Sequence, residues 1–382
     1  MTAQKPHHVA VIGCGLAGGA VAVALAKRGW QISLFERGAA VASGASALPI
    51  GMLSRHHTAN PTPLSRLTAI GLPITVSHLQ TYLPSGEGWQ KTTIENHRAS
   101  APGQRPQIEG VDTAYMIEPA RLIEAWLTHA QAIATTAIHP HTPIEALRFD
   151  TDERVWQLIG ADGTVICRCT HVVVANAHEA PALLKMDALG LRPVGGQVTL
   201  GPASEADHAS PALPAKRLSG VYVPQFRTRA GSFWSAGATY RRGNASQAIR
   251  MTDRDANRCL LESIAPEALP RWARQAEAGE LWDWVGVRCA SVDRLPLVGG
   301  LPFGVSSPVD PSTLRAAIPV ADGLFGLLAL GSRGLSLAPL LGETLACEMA
   351  GEPSPLPQDL RLAIEPRRAL LQTARQALKA RQ

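Results

Sequence analysis

Near the N-terminus, Gly13-Cys14-Gly15-Leu16-Ala17-Gly18 spaces three glycines as G-x-G-x-x-G, and an acid, Glu36, stands 21 residues beyond Gly15. This pattern suits a phosphate-bearing ligand. Gly13 permits a tight turn, Gly15 lets the backbone approach a pyrophosphate, and Gly18 allows a helix to pack closely on a strand. The start of that helix, at Leu16 and Ala17, offers free N–H groups and a positive dipole end. A carboxylate at Glu36 can accept hydrogen bonds from both hydroxyls of a ribose. Together these are the parts of a dinucleotide site.

Such a site needs a strand, a helix and a second strand to position it. Val9 to Ile12 reads as a buried strand, Gly19 to Arg28 as a helix ending near Gly29, and Gln31 to Phe35 as the next strand. The competing reading is a signal peptide or short membrane span. Val9 to Ala26 holds 18 residues without a charge and contains Ala22-Val23-Ala24. Four glycines, at 13, 15, 18 and 19, weaken a span, and the βαβ grammar leaves no part of the run unexplained. The motif alone does not separate NAD from FAD. A second G-x-G-x-x-G is not found, which favours electrons arriving from a bound substrate over a nicotinamide.

The chain of 382 residues suggests two or three domains, or one large interrupted one. Hydrophobic residues at 46% and charged residues at 18% exclude a mainly disordered or fibrous chain. The formal charge of +5 is compatible with an anionic partner without requiring one. The six cysteines form no C-x-x-C, so a zinc ribbon or thioredoxin-like site is not expected, and a reducing, cytoplasmic setting is. Neither a membrane span nor a metal is expected. His56 and His57 are adjacent, but no ligand set stands near them, and solvated loop histidines are the simpler reading.

Further along, Ser43 to Met52 is a loop of small residues suited to close approach to a flat ring system, or simply a linker. Pro63 to Leu83 has helical spacing, and Trp89 to Ile108 reads as irregular, a loop or an edge strand. Arg121 to Ala134 reads as a helix. Thr142 to Leu147, Val155 to Ile159 and Val165 to Cys169 suggest a meander. His171 to Ala177 would return to the parallel sheet and deliver Ala175 and Asn176 to its ligand-binding edge. Gln197–Leu200, Gly220–Val223 and Ser232–Ala238 suggest an antiparallel sheet, followed by a helix at 253–264 and a strand at 282–288. Leu324 to Leu330, the turn Gly331-Ser332-Arg333-Gly334-Leu335 and the helix 336–349 form a second strand–turn–helix. The fold class expected is α/β, a Rossmann-like βαβ domain with an inserted antiparallel-sheet domain. The division expected is 1–60, 110–192 and 285–365 for the cofactor, 61–109 and 193–284 for the substrate, and a basic tail at 366–382.

Several stretches resemble the FAD-dependent amine oxidoreductases of the D-amino-acid oxidase and glycine oxidase superfamily. They are 11–17, Gly44-Ala45-Ser46, 237–243, Gly286-Val287-Arg288-Cys289-Ala290, 293–299 and 329–335 with Ala338-Pro339-Leu340. Within it the chain is most similar to the oxidoreductase module of the bifunctional tRNA wobble-uridine modification enzymes, the MnmC family. The resemblance implies FAD, held by Gly13, Gly15, Leu16, Ala17, Gly18, Glu36, Arg37, Ala45, Ser46, Ala175, Asn176, Gly331, Ser332, Arg333, Gly334 and Leu335. It implies oxidation of the carboxymethylaminomethyl group of a wobble uridine, with glyoxylate released and the aminomethyl form left on tRNA. Oxidation of glycine, sarcosine or D-amino acids is the alternative, and flavin binding without turnover a third reading.

A guanidinium suits the substrate carboxylate because it makes two parallel hydrogen bonds. Arg288 and Arg333 are the expected clamps, each alternatively a surface ion pair. Tyr240 either caps the site with its hydroxyl or packs in the core. The tail carries Arg367, Arg368, Arg375, Lys379 and Arg381 without an acid, as a helix laid on RNA or a solvated terminal helix. Arg241 and Arg242 would add charge at the mouth. Two departures stand out: Gly195, where the family usually has arginine, and Ala47-Leu48-Pro49 in place of a more polar run. The chain begins at the FAD strand, so methyl transfer is not expected of it, and a separate methyltransferase partner is conceivable.

Overall fold

The computed structural model describes residues 7–379 apart from 102–103, 204–212, 305–309, 311 and 314. Its first layer is a six-stranded sheet built around β1 (His8–Ile12), α1 (Leu16–Ala26) and β2 (Gln31–Phe35). In space the strands run Leu297–Gly300, Leu324–Leu328, His171–Val174, β1, β2 and Thr136–His139. All neighbours are parallel except the edge pair Leu297–Gly300 with Leu324–Leu328. Strands buried on both faces read as continuous apolar runs, as Val9 to Ile12 and Val172 to Val174 do.

Helix α1 is buried along its whole length, which is why its sequence carries no charge. Close packing needs glycine here. A Cβ at Gly18 would lie 1.9 Å from the Gly13 carbonyl oxygen, and one at Gly342 would lie 2.8 Å from the Ala20 backbone. Gly13 itself sits at φ +103°, a turn conformation costly for any other residue. α1 packs between the helices Pro119–Ile133 and Gly334–Ala350, with Pro63–Tyr82 against the latter, in one core with Leu25, Leu67, Trp126 and Leu341.

The second layer is an antiparallel-rich sheet of nine strands. Towards one edge lies Arg192–Pro202, flanked by Gly231–Gly237 and Trp282–Ala290. The segment read as irregular, a loop or an edge strand is an interior strand, Trp89–Arg98, paired antiparallel with Gln107–Ile117 with one register shift between Asn96 and His97. Only Trp89 and Ile94 of that strand are fully buried, so the period-two signal is faint. The meander is present, with its first strand at Ala146–Asp150. The sheets part at different points from the division drawn above. Gly51–Ser54 and all of Gln107–Ile117 belong to the second sheet, while Pro63–Tyr82 shares the core of α1.

The basic tail does not stand apart from the protein. Pro366 and the helix Arg367–Lys379 bury Ala369, Leu370, Leu371 and Ala374 against the core that contains Leu189 and Cys289. Arg368 is buried and pairs with Asp293 at 3.0 Å. Arg367 is held by Glu365 and the Ile318 carbonyl. Arg375 and Lys379 are exposed, and Arg381 lies outside the described residues. Two of the four described tail cations are therefore structural. No helix among the described residues is long and apolar enough to cross a membrane.

Candidate active site

A cleft of about 740 Å³ runs between the two layers. At one end it meets the N-terminus of α1, where the β1 strand turns through Gly13 into Gly15. The Ser46 hydroxyl accepts from the Leu16 N–H at 3.0 Å, and a Cβ at Gly15 would come within 2.9 Å of it. That hydroxyl occupies the acceptor position that a phosphate oxygen would take. Beside it, Glu36 is buried at the end of β2. Its Oε2 accepts from the Cys14 N–H at 3.0 Å, and its Oε1 from the Gly38 N–H at 2.9 Å and the Ser43 hydroxyl at 2.8 Å. Glu36 thus braces the glycine loop while retaining unused lone pairs. Burial, helped by the Glu36 charge, pushes the Cys14 thiol up to about 12, so it is an inert thiol.

The second turn faces the first. Gly331 takes φ +55°, and its N–H bonds to the Cys289 carbonyl at 2.8 Å. Gly334 opens the long helix 334–350 with its Cα against Leu16, a Cβ there falling 3.0 Å from Leu16 Cδ1. Thr75 anchors this turn by donating to the Leu335 carbonyl at 2.7 Å. Two helix N-termini, of α1 and of 334–350, therefore converge on one cleft. Gly13, Gly15, Leu16, Ala17, Glu36, Arg37, Ala45, Ser46, Ala175, Asn176 and all of 331–335 line it. Gly18 does not; it lies beneath, against Gly13. Arg37 is tied to Glu179, and the Asn176 Oδ1 is buried without a partner.

Arg288 and Arg333 reach the same cleft from opposite sides of the Gly331–Cys289 bond. Arg288 lies on Trp282–Ala290 opposite Val194. Its guanidinium crosses Gly196, where a Cβ would be 2.5 Å from Nη1, and sits 4.8 Å from the Tyr240 ring centre. Nη1 is buried with no hydrogen-bond partner. Arg288, Arg333 and Arg217 make no ion pair among the described residues, and burial lowers all three guanidiniums from their ordinary values. The surface ion-pair reading of Arg288 and Arg333 fails on this geometry. Tyr240 is 55% exposed, so it is no core aromatic; it covers Arg288 at the mouth.

Three expectations change. Arg241 is not a free mouth cation: it is largely buried and pairs with Asp253 at 3.3 Å. It also explains Gly195, because a Cβ there would meet Arg241 Nε at 3.3 Å and the Asn244 carbonyl at 3.1 Å. The guanidinium of the paired strand fills the space that a side chain at 195 would need. His56 is not a solvated loop histidine. Its Nδ1 is buried and unpartnered, and burial, then the charges of Arg333, Arg217 and His57, pull it down to about 4. Thr75 and Arg217 were missed; each acts through a partner distant in sequence, and no local motif marks them. Ser43 opens the small-residue loop read above and bonds Glu36 only seven residues away, a role the loop reading did not assign.

Residues 8–91 and 82–348 match the family described as FAD dependent oxidoreductase. The chain belongs to that family. Two relatives of this flavoprotein are named tRNA 5-methylaminomethyl-2-thiouridine biosynthesis bifunctional protein MnmC. That of Paracidovorax citrulli (strain AAC00-1) is 33% identical, over 94% of this chain and 60% of its own. That of Albidiferax ferrireducens is 32% identical, over 94% and 58%. The flavoprotein spans about 60% of the length of these relatives. Among solved structures, glycine oxidase from Geobacillus kaustophilus superposes with a TM-score of 0.68 at 20% identity, over 92% of this chain and 97% of that one. Iminodiacetate oxidase from Chelativorans sp. BNC1 gives 0.67 at 19%, over 94% and 98%. At these identities the likeness is one of fold.

The residues present fit FAD. Two helix N-termini, a glycine cradle without room for a Cβ, a buried carboxylate with spare acceptors and small residues at 43–46 meet the needs of a long, pyrophosphate-linked, flat-ended cofactor. Among the described residues no group of three His, Cys, Asp or Glu side chains is placed to hold a metal ion.

Proposed function

We propose that this flavoprotein oxidises the carboxymethylaminomethyl group of a 5-carboxymethylaminomethyl-(2-thio)uridine at the tRNA wobble position, leaving the aminomethyl form, in the cytoplasm. One observation carries the reading: two guanidiniums drawn largely out of water, Arg288 and the half-buried Arg333, face the cleft with no ion pair among the described residues. Holding charge out of water without a partner costs several kcal/mol, about what a bound anion would offset. A glycine-like amine brings that anion as its carboxylate. The names of the relatives extend the substrate from a carboxylated amine to tRNA.

Bound FAD supplies the two-electron acceptor: hydride leaves the carbon beside nitrogen as the N–H proton departs, and water then splits the substrate's C=N bond, freeing glyoxylate. The chain's part is position and charge. Arg288 offers a planar fork across Gly196, which aims the carboxylate and, through it, the neighbouring C–H. Arg333 adds a second cation from the turn, and Tyr240 covers the mouth and limits water. Glu36 and Glu179 are committed to the glycine loop and Arg37. For an amine that enters neutral no side-chain base is required, and its proton passes to water.

The test is nucleoside mass spectrometry of tRNA from a strain lacking the chain, with anaerobic flavin bleaching by purified protein. Accumulated carboxymethylaminomethyl-uridine, and bleaching by tRNA that carries it, are expected. Unchanged nucleosides, with fast bleaching by sarcosine or glycine, would replace this reading by a small-amine oxidase.

A further inference from the structure

Behind Arg333 lies a second cavity, of about 430 Å³, which shares that residue with the flavin cleft. Its walls come from three strands and a loop. Arg217 ends the strand Ala215–Arg217, opposite Asn96. Its guanidinium donates to Asn96 Oδ1 at 3.2 Å and to the Ser54 hydroxyl at 2.5 Å, both neutral. Arg333 approaches from the flavin side, Arg55 stands exposed at the rim, and His56 turns a buried, unpartnered Nδ1 inward. Two acids border the cavity, and both are engaged. Asp112 accepts from His57 at 2.6 Å and from Asn96 at 2.7 Å, and Glu109 pairs with Arg98 at 3.4 Å. Two half-buried guanidiniums of like charge thus share one cavity; neither makes an ion pair among the described residues, and Asp112, whose charge acts on Arg217 across Asn96, offsets only part of the positive charge of Arg55, Arg217 and Arg333.

We propose that this cavity is a phosphate subsite that takes the 5′-phosphate of the same nucleotide whose amine lies at the flavin cleft. The proposal rests on the function proposed above. In a pyrimidine nucleotide with the base turned outward from the sugar, the C5–C6 edge faces the 5′-phosphate. A C5 side chain ending in a carboxylate and that phosphate therefore leave the base on the same side. A protein that reads both needs two anion sites bridged by one cation, which is where Arg333 stands. Guanidinium forks match phosphate oxygens as they match carboxylates. The rim, at Arg55, Gly110 and the 60%-exposed Val111, is open, so a continuing polynucleotide has a way out. A closed pocket for a small dicarboxylate would have no such need.

The experiment uses the FAD-loaded full chain and compares 5-carboxymethylaminomethyluridine with its 5′-monophosphate and 3′-monophosphate in anaerobic flavin reduction. The 5′-phosphate should raise kcat/KM roughly tenfold to a hundredfold, the worth of one charge-assisted contact. The 3′-phosphate should not. In Arg217→Gln the ratio of 5′-phosphate to nucleoside should fall to near unity. Arg55→Gln changes only an exposed rim residue and should lower the ratio by a smaller factor, which keeps the test decisive if Arg217→Gln does not fold. Equal use of nucleoside and 5′-phosphate by the wild type, or a ratio unchanged in both variants, overturns the proposal.

If no nucleoside reduces the flavin, the proposed function fails, and the cavity is read directly by equilibrium titration with inorganic phosphate. Saturable binding weakened in Arg55→Gln and Arg217→Gln supports the subsite; no binding overturns it. A preference for iminodiacetate over sarcosine that is lost in Arg217→Gln, with no phosphate binding, would assign the cavity to a second carboxylate instead.

Discussion

Replacing Arg288 by methionine should make the substrate-free flavoprotein more stable and leave it unable to turn over. The guanidinium is drawn largely out of water, makes no ion pair among the described residues, and leaves a buried Nη1 without a partner. One unsatisfied buried polar group costs about 1–3 kcal/mol. The contact with Tyr240, 4.8 Å away on a half-exposed ring, returns only about 0.5–1 kcal/mol. Methionine has similar length and adapts to the space. The balance is a gain of about 0.5–2 kcal/mol, a rise in Tm of roughly 0.6–2.5 °C for a chain of this size. Arg288→Lys supplies the second half of the argument. Lysine keeps the charge and loses the fork, so one charge-assisted hydrogen bond to the carboxylate disappears. That is about 1.5–3 kcal/mol, or roughly tenfold to a hundredfold in kcat/KM. Differential scanning of FAD-loaded protein reads the first effect, and anaerobic flavin reduction the second. A methionine variant less stable than the wild type would show that the guanidinium is a structural partner. Full kcat/KM in the lysine variant would remove Arg288 from the carboxylate.

Glu36→Ala should weaken FAD roughly tenfold to a hundredfold in a titration of refolded apoprotein, because both the ribose and the Cys14 and Gly38 N–H groups lose a charged acceptor; unaltered affinity would place the ribose elsewhere. Gly196→Ala should retain FAD and lose about a hundredfold in turnover, since the new Cβ stands 2.5 Å from Arg288 Nη1 and 2.6 Å from the Thr239 carbonyl; normal turnover would show that Arg288 is free to move. The Asp293 carboxyl, which burial would raise, is held down at about 2 by Arg368, Gln372 and the Leu295 N–H. Its contribution, on the order of 1 kcal/mol after allowing for solvent screening, is present above about pH 4 and is lost as pH falls towards 2. Amide exchange in 367–379, corrected for its intrinsic pH dependence, should therefore rise over that window in the wild type and not in Asp293→Asn. Arg375→Gln with Lys379→Gln should lower the log–log salt slope of tRNA binding by roughly 0.7–0.9 per residue if both touch phosphates; an unchanged slope removes the tail from the RNA.

The parts of the fold that were legible are those where one local signal suffices. The uncharged strand of β1, three spaced glycines and an acid at the end of β2 specify a βαβ unit because each constraint lies within a few turns of the next. The hairpin at 89–117 was not legible. Its first strand buries only Trp89 and Ile94, five residues apart and so on opposite faces, and Gln90, Lys91, Thr92 and Thr93 gave no alternation although they pair residue by residue with 113–116. The tail was half legible. Leu370, Leu371 and Ala374 announce a helix, but its charge was misread, because the partner that buries Arg368 is Asp293, 75 residues earlier. Gly195 and Arg241 fail in the same way: the sequence shows a missing side chain and an extra cation, and only strand pairing shows that one fills the space of the other.

The cations that remain unpaired are more informative than those that found partners. Arg28, Arg229, Arg241, Arg254 and Arg368 each meet a carboxylate. Arg288, Arg333 and Arg217 are drawn from three separate elements and meet none among the described residues. Glycine is what makes this arrangement possible, since Gly196 leaves room for one guanidinium and Gly331 turns the chain that carries another. A fold gains nothing in stability from assembling like charges out of water, and hydrophobic residues would pack those positions at lower cost. Negative charge arriving from outside makes the arrangement more favourable, and the three guanidiniums offer it two places. A single carboxylate at the flavin end would leave Arg217 with only the partial offset of Asp112, which is already held by His57 and Asn96. A second anionic group beside Arg217, as in the proposed phosphate subsite, would therefore gain what glycine or sarcosine would not.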